Sequence, residues 1–328
     1  MITSANKNYY DNAADRLRSA QRILAVTHVF PDGDALGSLC FFKELTNALK
    51  KDCTIYCAGP LPTNLEFLPH FSEIIVAKEK INLAEFDLIV SLDCATPGRT
   101  NLETELYNRT NQQHFLEIDH HVSLRKLSDS ELRLDKAAST TEILFHLASV
   151  MNIAINPIMA KTLLTGIVTD TGNFIHASAS ESTVAAAAAI TAQGANLAKI
   201  NDQTFRTKTL TSLKLWGIAL SRLTKNSRFN LVYTVLTEED FIKYDVSEDG
   251  LEGISSFLSS LTEPNIVLVL FSGRGVIKGS FRTNKNNVDV ARLARALGGG
   301  GHIKASGFSI PGQLVLENGI WQAKTVNV

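Results

Sequence analysis

Imidazoles and carboxylates gather in three short stretches of this chain: His28-Val-Phe-Pro-Asp32-Gly-Asp34, Asp119-His120-His121, and Thr169-Asp170-Thr171-Gly172. Neutral imidazole nitrogen and carboxylate oxygen are donors that divalent first-row cations accept together. Several aspartates closing on one point carry charge for more than one cation. The three stretches, read together, predict a divalent-metal site with hydrolytic chemistry.

The elements that must position these residues follow from hydrophobic period. Short apolar runs predict strands at 22–27, 53–57, 74–77, 88–92 and 114–118, and helical periodicity predicts helices at 35–49, 140–150, 157–168 and 182–193. This alternation predicts an α/β fold whose N-terminal sheet is mainly parallel, with helices on both faces. Ligands of such sheets bind beyond the carboxyl ends of the strands. Asp32 and Asp34 follow the first strand, Asp93 in Ser91-Leu92-Asp93-Cys94 ends another, and Asp119-His120-His121 ends a third. Sheet geometry thus brings them to one edge, and Asp170, expected in the loop after helix 157–168, adds a fourth contribution.

Residues 1–196 read as a catalytic domain, 197–227 as a polar helical connector, and 228–328 as a smaller C-terminal α/β domain. In that domain strands are expected at 229–236, 266–271 and 276–281, and helices near 251–261 and 288–297. It also contains Gly298-Gly299-Gly300-Gly301-His302 followed by Ala305-Ser306-Gly307-Phe308. Consecutive glycines after a helix permit close backbone approach and present amide groups that cradle an anion. The plainer reading is a helix cap with a flexible turn. His302 and the nearby Arg282, Lys285, Arg292 and Arg295 favour phosphate. Residues 228–328 hold ten Lys/Arg against ten Asp/Glu, so the domain is neutral overall although 281–308 is basic. That distribution suits a small phosphorylated end better than a long nucleic-acid track.

Bulk properties agree. A chain of 328 residues, 45% hydrophobic and 20% charged, with formal net charge -1, describes an ordinary globular protein long enough for two cores. It lacks the charge excess of proteins that bind long nucleic acid or anionic membranes. The four cysteines, Cys40, Cys53, Cys57 and Cys94, do not repeat at zinc-site spacing and read as inert thiols in a reducing compartment. No apolar run is long enough to cross a bilayer and the N-terminus has no secretory pattern, so a cytoplasmic location is expected.

The ordered motifs HVFPDGDALGS, SLDCA, DHH, TDTGNF and GGGGHIKASGF resemble the DHH phosphoesterase superfamily, and in particular its two-domain NrnA-like group with a DHH-associated C-terminal domain. The likeness covers nearly the whole chain. It implies two divalent cations, manganese first among the candidates, one held by His28, Asp32 and Asp93 and the other by Asp34, Asp93, His120 and Asp170, with Asp93 bridging. Four carboxylates against two dications leave a near-neutral site. By the same likeness His121 stands beside the cations and donates to the phosphate or leaving oxygen. Asp119 is a candidate for fixing an imidazole tautomer, with packing or strand capping as the plainer reading of both. The C-terminal domain would hold substrate through Gly299, Gly300, Gly301 and His302 and through a Ser-x-Arg-Ser segment, which reads here Ser280-Phe281-Arg282-Thr283. Arg99, a few residues past Asp93, is a candidate phosphate contact or simply a turn residue. His176 is a candidate for lining the cleft; His70, His114 and His146 read as surface or core histidines.

The expected activity is hydrolysis of short oligoribonucleotides (nanoRNA, pApA-type dinucleotides), of 3'-phosphoadenosine-5'-phosphate, or of both, to mononucleotides in a cleft between domains, with a homodimer open as an assembly. Alternatives are a cyclic dinucleotide phosphodiesterase, a manganese inorganic pyrophosphatase, a RecJ-type exonuclease, and an inactive nucleotide-binding sensor. Pyrophosphatases lack the glycine-rich loop with His302, and a RecJ-type enzyme needs further domains and a basic channel. A sensor would have lost a ligand, and all six are present.

Overall fold

A computed structural model describes residues 2–122, 127–176, 178–206, 208–251 and 253–324. The chain divides into two compact units, Met1–Thr207 and Lys208–Val328.

The first unit runs α1 (Lys7–Ser19), β1 (Arg22–Thr27), α2 (Gly33–Ala48), β2 (Asp52–Cys57), β3 (Leu88–Leu92), α3 (Glu103–Tyr107), β4 (His114–Asp119), β5 (Ser130–Arg133), α4 (Thr140–Val150), α5 (Pro157–Asp170), α6 (Glu181–Ala192) and α7 (Leu197–Thr204). Its five strands, in the order β2-β1-β3-β4-β5, are all parallel. Alternation along the strands feeds two cores. Ile23, Ala25, Val90, Leu116 and Ile118 pack with α1, α2 and α4–α7. Leu24, Val26, Ile89 and Phe115 face the other way, against α3 and short 3-10 turns. The strands are apolar on both faces because both are covered. All four cysteines are buried free thiols; burial pushes Cys53 up to about 11 and Cys40 and Cys57 up to about 12, as inert thiols require.

Two elements depart from the sequence expectation. The strand expected at 74–77 reduces to a single bridge between Tyr56 and Ile75, enclosed by 3-10 turns at Phe71–Glu73 and Lys78–Lys80. Helix α5 extends through Asp170, so that residue lies on the last helical turn rather than in the loop beyond.

The second unit comprises α8 (Leu210–Ser221), β6 (Thr224–Asn226), β7 (Leu231–Thr237), α9 (Glu238–Tyr244), α10 (Ile254–Leu258), β8 (Ile266–Gly273), β9 (Val276–Arg282), α11 (Val290–Ala296), β10 (Gly300–Gly301), β11 (Ala305–Pro311), β12 (Gln313–Glu317) and β13 (Ile320–Lys324). Six strands form a mixed sheet in the order β10-β11-β9-β8-β7-β6, with β7 and β8 parallel and the other pairs antiparallel; β12 and β13 form a separate hairpin. Helices α8, α9 and α10 contribute to a core with Val267 and Val269. On the other side α11 packs on Phe281 and Phe308. Of the helical stretch between the expected domains, α7 belongs to the first unit and α8 to the second.

Candidate metal centre

Three adjacent strands of the first sheet, β1, β3 and β4, end in the residues singled out by type. His28 follows β1, Asp93 follows β3, and Asp119 closes β4 ahead of His120 and His121. Asp32 caps α2, its Oδ1 accepting from the Asp34 and Ala35 amides at 3.1 and 3.0 Å. Asp34 sits in the first turn of the same helix, fully buried. Asp170 arrives from the end of α5.

These side chains converge in two sets. One donor atom from each of His28, Asp32 and Asp93 lies within 4.8 Å of the others, and the same holds for Asp34, His120 and Asp170. Asp93 faces both sets: Oδ2 is 3.8 Å from His28 Nε2, and Oδ1 is 3.4 Å from His120 Nε2, which is also 3.4 Å from Asp170 Oδ2. The imidazoles are aimed from behind. His28 Nδ1 lies 2.9 Å from the Val29 carbonyl and His120 Nδ1 3.3 Å from that of Ala137. A carbonyl only accepts, so each Nδ1 carries a proton and each Nε2 points inward, the orientation of metal-ligating histidines.

Electrostatics point to the same requirement. Burial, together with the Asp93 and Asp170 charges, holds the Asp34 carboxyl well above the usual carboxylate range. Burial and the neighbouring Asp32 and Asp93 push Asp170 up to about 7. Asp93 is buried as well, but the hydrogen bonds and charge of His120 and His121 more than offset that and hold it well below the usual range. Buried carboxylates at this density call for positive charge among them. Two dications would supply it, and the oxygen and imidazole donors fit a manganese-class ion.

Other residues hold this arrangement. Asp34 accepts from the Thr140 and Thr141 amides at 2.6 and 3.0 Å and from the Thr141 hydroxyl at 2.7 Å, all at the start of α4, and Thr140 Oγ1 donates to Asp93 Oδ1 at 3.1 Å. Asp93 and Ala95 have left-handed backbone, φ 60 and 59, a strain that persists only where neighbours fix it. Asp119 does part of that. Its Oδ2 accepts from the Ala95 amide at 2.6 Å, while Oδ1 accepts from the His121 amide at 2.7 Å and from His121 Nδ1 at 2.9 Å. Asp119 thus lies with His121 and Asp93 in a third group of converging donors, outside the His28 and His120 sets, with its oxygens engaged by the Ala95 amide and His121. Burial opposes a charged His121, but Asp119 and Asp93 raise its pKa to about 9. His176 Nδ1 donates to the Asp170 carbonyl at 3.0 Å, steadying the end of α5. Arg99 is half-buried in a 3-10 turn, and its carbonyl accepts from the Val29 amide at 2.8 Å beside His28. His70 bridges Glu44 and Glu73, His114 bonds the Ser130 hydroxyl, and burial lowers His146 to about 4, so these three stand apart from the cluster.

In the second unit the glycine run differs from an open amide nest. The Gly298 and Gly299 amides donate to the Arg295 and Ala294 carbonyls at the end of α11, and the His302 amide donates to Ala305. Gly300 and Gly301 pair with Gly307 and Ser306. A Cβ on Gly299 would meet the Gly307 carbonyl at 2.1 Å, and Gly301 has φ +131 with the Ala305 carbonyl 2.7 Å from a Cβ. Hairpin packing thus explains these two glycines, whereas Gly300 faces open space and is exposed. Register sets Arg282 opposite Ala305, at the sheet end where Gly301 and His302 lie. The half-buried Arg282 guanidinium donates to Ser280 Oγ at 3.0 Å and Phe281 O at 2.9 Å, and no carboxylate pairs with it among the described residues. Thr283 Oγ1 is turned inward to the Asn265 carbonyl. Arg295 lies 3.8 Å from Asp289, and Lys285 and Lys304 reach backbone carbonyls, whereas no carboxylate is paired with Arg282 or the exposed Arg292 among the described residues.

Residues 22–167 match the model of the DHH family, N-terminal domain, and residues 229–324 match that of the DHHA1 domain. The chain belongs to the DHH family of phosphoesterases. It is accordingly a hydrolase of phosphate esters, and the His/Asp cluster able to hold metal lies in its DHH unit. A bifunctional oligoribonuclease and PAP phosphatase NrnA from Thermus thermophilus is 29% identical, over 88% of this chain and 84% of the relative. One of the same name from Mycoplasma pneumoniae is 26% identical, over 90% and 89%. The crystal structure of an exopolyphosphatase-related protein from Bacteroides fragilis superposes with a TM-score of 0.85 at 25% identity, over 94% and 92% of the two chains. Among the described residues no helix is long and apolar enough to cross a membrane.

Proposed function

We propose that this DHH phosphoesterase hydrolyses short oligoribonucleotides and 3'-phosphoadenosine-5'-phosphate to mononucleotides, using two divalent cations, with manganese the best fit to the donors. The observation that carries the two-cation reading is Asp93, whose two oxygens address two separate donor sets. Support for the substrates comes from the two NrnA relatives, which match along most of their length.

His28, Asp32 and Asp93 would hold one cation, and Asp34, His120 and Asp170, with Asp93, the other. Bound there, two dications neutralise the carboxylates, acidify water and polarise phosphoryl oxygens. The chain's own residues do the rest. Asp34 is fixed by the α4 amides, so the site needs little rearrangement when charge develops. Asp119 holds His121 by Nδ1 and so orients the ring, whose Nε2 would deliver a proton to the departing oxygen. In the second unit Arg282, with the neighbouring Gly300 and His302, is the candidate grip for the phosphate of a short nucleotide.

The test is one panel run in parallel with manganese: 5'-labelled RNA dimers to pentamers, adenosine 3',5'-bisphosphate, cyclic di-AMP and pyrophosphate. Turnover of the RNAs and the bisphosphate is expected. Turnover of pyrophosphate alone, or of cyclic di-AMP alone, overturns the assignment.

A further inference from the structure

Beneath the Asp119-His120-His121 turn lies a buried charge cluster that none of the metal donors explains. Side chains two apart on a strand share a face, so Glu117 and Asp119 of β4 lie on one side of the sheet, both almost fully buried. Two buried carboxylates so placed repel each other unless a cation stands between them. Parallel register sets Arg133 of the edge strand β5 opposite Asp119. Its side chain is only 13% exposed, and the guanidinium reaches three groups: Nη1 is 3.4 Å from Asp119 Oδ2 and donates to the His121 carbonyl at 2.8 Å, and Nη2 is 3.6 Å from Glu117 Oε1. Ser128 Oγ donates to Glu117 Oε2 at 2.7 Å, which holds that carboxylate in place.

The planar guanidinium spans partners that one ammonium could not reach together. Asp119 is the link between the Asp93–Ala95 turn and His121, through the Ala95 amide and the His121 ring. Arg133 anchors that link and pins the His121 main chain from the opposite side. We propose that Arg133 is a positioning residue for the phosphoester hydrolysis: it orients Asp119 and, through it and the His121 carbonyl, sets the direction of the His121 ring. This inference rests on the reading of His121 as the group that serves the leaving oxygen.

The experiment compares Arg133→Gln, Arg133→Lys and Arg133→Ala with His121→Ala in the manganese-loaded full chain, on an RNA dimer and on adenosine 3',5'-bisphosphate. Each variant is accompanied by a thermal melt and a manganese titration. Loss of an orienting partner behind a reactive group costs about 10- to 100-fold. Arg133→Gln should lower kcat by about that factor with KM within about twofold. Arg133→Lys should recover part of the loss, and guanidinium ion at low millimolar concentration should partly restore Arg133→Ala. Manganese stoichiometry should stay unchanged in all three. Should Arg133→Gln fail to fold, the lysine variant and guanidinium rescue of the alanine variant decide. A kcat loss that only follows the folded fraction, with no rescue and no benefit from lysine, overturns the role of Arg133. Full activity in His121→Ala overturns instead the reading of His121 on which it depends.

Discussion

The groups that are candidates for phosphate differ in kind between the two units. In the DHH unit the candidate groups come from four separate segments, most of them are buried although Asp32 is exposed and Asp170 and His121 are half-buried, and they are held from behind by Thr140, Thr141, Asp119 and the Val29 and Ala137 carbonyls. In the DHHA1 unit the corresponding groups are a half-buried arginine and an exposed hairpin, with most of the glycine-run amides already used inside the unit. A centre that must keep several carboxylates close together needs a rigid, dry frame. A grip on one end of a small ligand needs a donor left free and a place where backbone can approach. Burial thus separates the residues expected to govern turnover from those expected to govern affinity.

The largest effect that could break this contrast is at Asp93. Asp93→Ala should remove turnover of every substrate to below detection and abolish binding of both cations, measured by assay and equilibrium dialysis. Retention of one tight cation would mean that Asp93 serves a single set. In the DHHA1 unit Arg282→Ala should raise KM about tenfold or more while kcat stays within about threefold, because it removes a charge-assisted grip and not a reacting group. A kcat loss equal to the KM rise would place Arg282 in the chemistry and erase the distinction.

A third outcome concerns pH. Burial and neighbouring charge hold Asp34 and Asp170 above the usual carboxylate range. Burial works against a charged His120, but Asp93 and Asp170 hold its imidazole well above its usual value. Each must lose its proton before it can ligate. Cation affinity should therefore rise as pH rises through about 7, the value for Asp170, and binding should release protons. Titration calorimetry in two buffers of different ionisation enthalpy measures that release; identical heats would contradict it.

The smallest effect lies away from both sites. In the second unit Arg222 grips Asp240 through two hydrogen bonds, at 2.5 and 2.9 Å. Burial raises the Asp240 carboxyl, but Arg222 and the Thr237 amide outweigh it and lower its pKa. A carboxyl lowered on folding stabilises above its unfolded range and loses that contribution as pH falls through the folded value. Asp240→Asn should cost about 1.5–3 kcal/mol at pH 7 in urea melts of the full chain, and the gap from wild type should close toward pH 3.

Much of the DHH unit was legible in the sequence because strand ends and motif residues coincide. Once β1, β3 and β4 are placed, His28, Asp93 and Asp119 must share an edge. What was not legible depends on contacts distant in sequence. Thr140 and Thr141 meet Asp34 across more than a hundred residues, and Arg133 finds Asp119 only through the register of a four-residue edge strand. The Asp119-His121 turn gave no hint of a cation beneath it; Glu117, a charged residue within the apolar run Phe115–Ile118, was the one signal. Asp170 was expected in the loop after helix 157–168, yet helical bonding continues through it. The glycine run promised a row of open amides, and the helix end of α11 takes two of them.

The central claim, two cations joined by Asp93 in the DHH unit, is tested most directly by diffraction from manganese-soaked crystals at the manganese absorption edge. The account predicts two anomalous peaks in the cluster, one beside His28 and Asp32 and one beside His120 and Asp170, both in contact with Asp93. A single peak, or two peaks that do not share Asp93, would contradict it.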